Sequence, residues 1–168
     1  MSAPKEGAYP LTTNNLSHLV SYTNSPAGIS ITSLVSLPAG SLFTPITTST
    51  PTDTILWSSV QTGRDTHIEL NSALLYMNHS CAPSLEIDTK TMEVKVARDR
   101  DLKVGDDLTF FYPSTEWDFS RPFECLCGAP KGVCLGQVSG AKGLDGEALG
   151  KRFVNEHILE LARERDGK

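Results

Sequence analysis

The sequence has no apolar run approaching the roughly 18 residues that a membrane span requires. Its opening, Met1-Ser2-Ala3-Pro4-Lys5-Glu6, leads into no apolar core of a signal peptide. From these absences we expect no membrane segment and a cytoplasmic or nuclear location. Basic residues are in deficit, with 15 Lys and Arg against 20 Asp and Glu and a net charge of −5. That balance argues against direct nucleic-acid binding, which usually needs a basic surface, although it would accept a basic peptide. There is no internal repeat. Cysteine is sparse, with four in 168 residues; in a reducing compartment such cysteines are more often ligands or catalysts than disulfides. What remains is ordinary globular composition, 39% hydrophobic and 21% charged, at a length that suits one domain with a substantial core.

Short strands dominate the reading of the middle of the chain. Residues 1–17 are polar and turn-rich. From Leu19 to Phe43 the pattern is strand-like: Ile29 and Ile31 alternate with Ser30 and Thr32, and Leu34, Val35 and Leu37 precede the Pro38-Ala39-Gly40 turn. Thr44 to Thr54, dense in Thr, Ser and Pro, reads as a surface loop. Ile55–Val60 and His67–Leu70 read as strands, and Asn71–Met77 as a short helical turn capped by Asn71. Leu85–Ile87 and Met92–Ala97 form an expected hairpin around Asp88-Thr89-Lys90-Thr91, and Leu108–Phe111 a further apolar strand. Near the C-terminus Leu149, Phe153, Ile158, Leu161 and Ala162 recur at helical spacing. They predict one amphipathic helix from about Asp145 to Arg165, acting as a structural buttress.

Chemistry concentrates in two places. Cys125-x-Cys127 with Cys134 and the distant Cys81 can supply four thiolates to a tetrahedral ion, for which zinc is the natural occupant. Two ordinary disulfides or four unconnected thiols compete with that reading, but a Cys-x-Cys pair cannot easily bridge to itself. Asn78 and His79 precede Cys81. Asn78 offers two donors and an acceptor to a ligand's polar edge. His79 reads as a general base, a metal ligand or a hydrogen-bonded structural histidine, and His67 as structural. Tyr112 closes an apolar strand just before Pro113, where its phenol would orient a reacting group or sit satisfied in the core.

In combination these stretches are recognisable. Asn78-His79-Ser80-Cys81 with Pro83, followed by Val104-Gly105-Asp106-Asp107-Leu108-Thr109-Phe110-Phe111-Tyr112, resembles the paired signature of SET-domain lysine methyltransferases. Cys125-x-Cys127-Gly128 through Cys134 is similar to their zinc-binding post-SET segment. Pro26-Ala27-Gly28-Ile29-Ser30 and Leu37-Pro38-Ala39-Gly40-Ser41-Leu42 resemble the family's opening Gly-x-Gly strand and the turn after it. The likeness runs from about residue 25 to 140. It departs from the family pattern at Pro26 in place of the first glycine, at Phe111 in place of an acidic residue, and at Pro83-Ser84 in place of Pro-Asn. Six residues rather than four separate Cys127 and Cys134, which predicts a bulged loop, and the insert before Asn78 is short.

The resemblance implies a mainly β SET-domain fold: several small sheets around a knot-like core, plus a C-terminal helix. It divides the chain into a lead-in (1–18), a SET core (19–116), a post-SET zinc segment (117–140) and a C-terminal helix (141–168). S-adenosylmethionine would be held near Ala27, Gly28, Asn78, His79 and Tyr112. Tyr112 would be catalytic, and Tyr76 and Phe110 would line the substrate channel, with Phe110 favouring higher methylation states. Cys81, Cys125, Cys127 and Cys134 would hold a structural zinc. The expected reaction is methyl transfer to lysine side chains of a basic protein or peptide. The alternatives are chemistry on a small molecule, with or without S-adenosylmethionine, and a peptide-binding module without turnover.

Overall fold

The computed structural model describes residues 16–26, 28–119 and 121–167. Within them the first two strands, β1 (Val20–Ser25) and β2 (Gly28–Ser33), form an antiparallel ribbon. Gly28 opens β2 at φ +122°, a backbone conformation that residues with a Cβ rarely adopt. Then come β3 (Leu42–Pro45), β4 (Ser49–Thr52), β5 (Ser59–Gln61), β6 (His67–Leu70), β7 (Asn78–His79) and β8 (Leu85–Asp88). These are followed by β9 (Glu93–Val96), β10 (Thr109–Phe110), β11 (Phe123–Glu124) and β12 (Gln137–Val138). They gather into small sheets ordered β3-β9-β8 and β4-β6-β5, an antiparallel β11–β12 pair and a parallel β7–β10 pair. The architecture is mainly β, as the sequence led us to expect.

The β8–β9 hairpin shows why these residues become strands. Leu85 opposes Val96 and Ile87 opposes Val94, and all four are fully buried. Their partners in register, Glu86 with Lys95 and Asp88 with Glu93, occupy the other face, where Lys95 bridges Asp88 and Glu93 at 3.2 and 3.0 Å. Burying each aliphatic side chain contributes roughly 1.5–3 kcal/mol. At the turn, Asp88 Oδ1 accepts the N–H groups of Lys90 and Thr91, a local bond that favours reversal of the chain.

Four expectations change. Thr44–Thr54 is not a loop throughout, because it contains the end of β3 and all of β4, with Thr44 and Ile46 buried. β4 carries Pro51 and pairs only with β6, the edge position that tolerates proline. Ile55–Val60 is strand only from Ser59; Ile55, Leu56 and Trp57 precede it as exposed residues. The helical turn is a 3-10 segment, Ala73–Tyr76, capped by Ser72 rather than Asn71. The C-terminal helix is two: α1 (Gly146–Gly150), capped by Asp145, and α2 (Glu156–Arg165).

Asn155 makes that break. Its Nδ2 donates to the carbonyls of Ile87 and Ser114, and its Oδ1 accepts from the N–H and the hydroxyl of Thr89. A buried amide so satisfied ties α2 to the hairpin turn and holds its own backbone extended at ψ 153°. Leu149, Ile158 and Ala162 then pack with Ala141 in a second apolar cluster beside Trp117 and Val154. Among the described residues no helix is long and apolar enough to cross a membrane.

Candidate functional site

The parallel pair β7–β10 is the centre of the site. Asn78 lies opposite Thr109 and His79 opposite Phe110, and the ladder continues through the Ser80 N–H to the Phe110 carbonyl at 3.0 Å. Ser84 secures it from one side. Its hydroxyl donates to the Asp107 carbonyl at 2.7 Å and accepts the Thr109 N–H, while its own N–H donates to the Thr109 hydroxyl. This gives the serine after Pro83 a structural task of its own.

Two cavities border the pair. One, of about 480 Å³, is lined by Met77, Phe110, Tyr112, Glu116, Phe119 and Phe123, with Ile55, Leu56 and Trp57 also contributing. The other, of about 540 Å³, is lined by Ser30, Asn78, His79, Thr109, Leu126 and Cys127, among others. Thr109 lines one and Phe110 the other, as the period-two alternation of a strand requires. Both volumes lie in the range of small-molecule sites.

Tyr112 is set from several directions. Its hydroxyl donates to the Met77 carbonyl at 3.0 Å, and its N–H donates to His79 Nδ1 at 3.2 Å. Rings of Phe110, His79, Phe123 and Phe119 surround it at centroid distances of 4.7, 5.2, 6.1 and 6.2 Å. Burial pushes the phenol up to about 12, so it stays protonated at any physiological pH. Burial, with a smaller contribution from the Arg152 charge, lowers His79 to about 4. Because Nδ1 accepts from Tyr112, the remaining proton of a neutral ring lies on Nε2, 3.3 Å from Cys81 Sγ. His79 is thus a hydrogen-bonded positioning ring, one of the readings its sequence context left open.

Cys81, Cys125, Cys127 and Cys134 converge from three segments with all four sulfurs within 4.8 Å of one another, and none forms a disulfide. Cys81 and Cys125 stand 3.7 Å apart. Four sulfurs each about 2.3 Å from a tetrahedral zinc would be roughly 3.8 Å apart, so donor set and spacing suit such an ion. The extra residues between Cys127 and Cys134 form a tight turn, with the Val133 and Cys134 N–H groups both donating to the Pro130 carbonyl.

Arg152, which sequence reasoning did not single out, clasps this segment. Its Nε donates to the Cys81 carbonyl at 3.1 Å, Nη1 to that of Ala148 and Nη2 to that of Val133. Its guanidinium lies 4.7 Å from the ring centre of Phe111, so the residue that departs from the family's acidic pattern serves as a stacking platform. Glu116 was missed as well. Its Oε1 accepts the Gln61 N–H at 2.7 Å, and burial outweighs that bond and the Thr115 hydroxyl to push its carboxyl up to about 7. Neither residue belongs to a local motif; only their partners, distant in sequence, reveal them.

Of the residues named from sequence, the structure brings Asn78, His79, Phe110, Tyr112 and the four cysteines together. Tyr76 is placed elsewhere: its ring meets Tyr22 of β1 edge-on at 5.7 Å, and it is not among the residues lining the aromatic cavity. Gly28 opens the strand that brings Ser30 to the polar cavity, while Ala27 lies outside the described residues.

The arrangement of sheets is a SET-domain fold. It aligns with TM-score 0.53 and 21% identity to KRYPTONITE, whose crystal structure is in complex with mCHH DNA, H3(1-15) peptide and SAH. The match covers 70% of this chain and 29% of that one, so the chain spans under a third of that protein's length. No family model matches the sequence. Over 157 residues the chain is 47% identical to the methyltransferase flvH of Aspergillus flavus, covering 94% of this chain and 84% of that protein. The chain belongs to this methyltransferase family, and it is an enzyme built on the SET-domain fold.

Proposed function

We propose that the protein transfers a methyl group from S-adenosylmethionine to a lysine-type amine, with a basic protein or peptide as acceptor. The observation that carries this reading is the β7–β10 pair with a polar cavity along one border and an aromatic cavity along the other. The SAH and peptide in the KRYPTONITE complex and the 47% identity to flvH support it.

S-adenosylmethionine bound in the polar cavity would supply an electrophilic methyl on a sulfonium. Asn78, His79 and Ser30 line that cavity and would hold it there. Phe110, Phe119 and Phe123 exclude water from the acceptor side, which matters because the reaction asks mainly for alignment and dryness. Tyr112 commits its hydroxyl proton to Met77, so its oxygen offers only lone pairs to positive charge at the moving methyl. Cys81, Cys125, Cys127 and Cys134 would hold a zinc whose part is structural, since four thiolates leave no open position.

The test is calorimetry with S-adenosylmethionine together with transfer of a labelled methyl group to a panel of basic proteins. Saturable binding and labelled protein are expected; no binding and no label would remove the reading. A second reading takes a small amine as acceptor. The exposed apolar residues Ile55, Leu56 and Trp57 beside the aromatic cavity favour it, because they suit a ligand with an apolar body. Label on small amines and none on proteins would select it.

A further inference from the structure

We propose that the Glu116 carboxylate recognises the ammonium group of the methyl acceptor in the aromatic cavity and takes its proton before transfer. This role rests on the methyl-transfer reading given above.

Its placement follows from the chain. After the 3-10 segment Tyr112–Ser114, the Glu116 N–H donates to the Tyr112 carbonyl at 3.0 Å. The two residues are therefore one turn apart, and both line the same cavity. The surroundings there include Met77, Phe110, Phe119 and Phe123, with Asp118 and Arg121 as the other charged lining residues. Among the described residues Glu116 makes no ion pair, although it is only 9% exposed; Oε1 accepts the Gln61 N–H, and the Thr115 hydroxyl is its other polar neighbour. Asp118 is paired with Lys142 at 2.9 Å, Arg121 and the Tyr112 phenol line the cavity, and His157 of α2 bonds the Thr115 carbonyl.

The fold does not need the charge. A glutamine would accept the Gln61 N–H equally well, whereas a buried carboxylate without a counter-cation costs stability. What such an anion among aromatic faces does suit is a cationic ligand. A carboxyl pushed to about 7 is also matched to accepting a proton near neutral pH.

The step balances. The acceptor's ammonium gives one proton to the Glu116 carboxylate, leaving a neutral amine and a carboxylic acid. The freed nitrogen lone pair forms the new N–C bond to the sulfonium methyl. The C–S bond breaks with its electron pair going to sulfur, which becomes a neutral thioether, and the methylated nitrogen carries the positive charge. The carboxyl proton then leaves to water.

The test is Glu116→Gln, which removes the charge and keeps the acceptor for Gln61. n-Butylammonium chloride and the neutral n-pentanol are titrated into both proteins, followed by tryptophan fluorescence, because Trp57 lines the cavity. We expect butylammonium to bind the native protein at least tenfold more tightly and pentanol to bind both alike. In transfer assays the variant's KM for the amine rises at least tenfold. Its affinity for S-adenosylmethionine stays the same, and the limb of the kcat/KM profile near pH 7 disappears. A second measurement needs no variant: 13C NMR of the native Glu116 carboxyl, where added butylammonium must lower its titration midpoint. Equal butylammonium affinity in both proteins, or a midpoint that does not move, overturns the assignment. Failure to bind S-adenosylmethionine would instead remove the methyl-transfer reading, and the amine titrations remain readable without it.

Discussion

The main-chain N–H of Tyr112 donates to Nδ1 of His79 across 33 residues of sequence. This single bond explains several features of the site. It fixes the tautomer of His79, and it holds the start of the 3-10 segment against β7. It also leaves the phenol of Tyr112 free to reach back to the carbonyl of Met77. The placement of Tyr112 therefore depends on a histidine that is itself held by its own hydrogen bonds.

Tyr112→Phe removes the bond to Met77 and the phenolic oxygen while preserving the ring. Methyl transfer should fall by roughly 10²–10³, the usual effect of losing one electrostatic stabiliser of a transition state. Stability should fall by only about 1 kcal/mol. Single-turnover rates, denaturant melts and calorimetry with the cofactor measure the three quantities; a rate within threefold of the native value would remove Tyr112 from the chemistry.

Cys81→Ser should abolish stoichiometric metal binding, because Cys81 is the buried sulfur that joins the segment carrying the other three to β7. Mass spectrometry under native conditions should find about one zinc per chain in the parent protein and none in the variant. Chelation of the parent should expose the region around residues 125–136 to protease. Zinc-free parent protein with unchanged resistance would show that the thiols stand alone.

Arg152→Lys should be nearly as damaging as Arg152→Ala. The guanidinium donates to three carbonyls in different directions and stacks on Phe111, and an ammonium cannot reproduce that planar fork. Roughly 2–3 kcal/mol of destabilisation is expected from the lost bonds and stacking together. A urea melt in which the lysine variant matches the parent would contradict this.

Glu116 makes stability depend on pH in a stated direction. Its folded-state midpoint is about 7, against 4.5 for the free side chain. Between those values the folded chain holds more protons than the unfolded one, so stability declines as pH rises through this window. The full swing is roughly 3–4 kcal/mol at most. Glu116→Gln should flatten this part of the curve and be the more stable protein at pH 8. Thermal melts from pH 4.5 to 8 decide it, and parallel curves for the two proteins would contradict the shift.

Much of the scaffold was legible because it is local. Alternating Leu85, Ile87, Val94 and Val96 announce a hairpin whichever partner sheet receives it, and His67–Leu70 reads correctly for the same reason. Ser49–Thr52 was hidden because its composition argues for loop, and only pairing with β6 makes it a strand. The C-terminal pattern looked continuous because periodicity registers Leu149, Ile158 and Ala162. It is blind to the four hydrogen bonds with which Asn155 interrupts the helix.

The site divides in the same way. Asn78, His79, Tyr112 and the four cysteines can be picked out from their order along the chain, whereas Tyr76 looked equally eligible and faces Tyr22 instead. Arg152 and Glu116 carry no local mark at all.

The sequence by itself determined the short strands, the Cys125-x-Cys127 pair with Cys134 nearby, and the separate local motifs at Asn78–Cys81 and Gly105–Tyr112, because propensity, alternation and spacing act between near neighbours. Only the tertiary structure decided which side of the β7–β10 pair each residue serves, how Arg152 clasps the cysteine segment, and that Glu116 is buried beside aromatic rings. Those outcomes come from burial and from hydrogen bonds between residues remote along the chain, and no single stretch of it contains them.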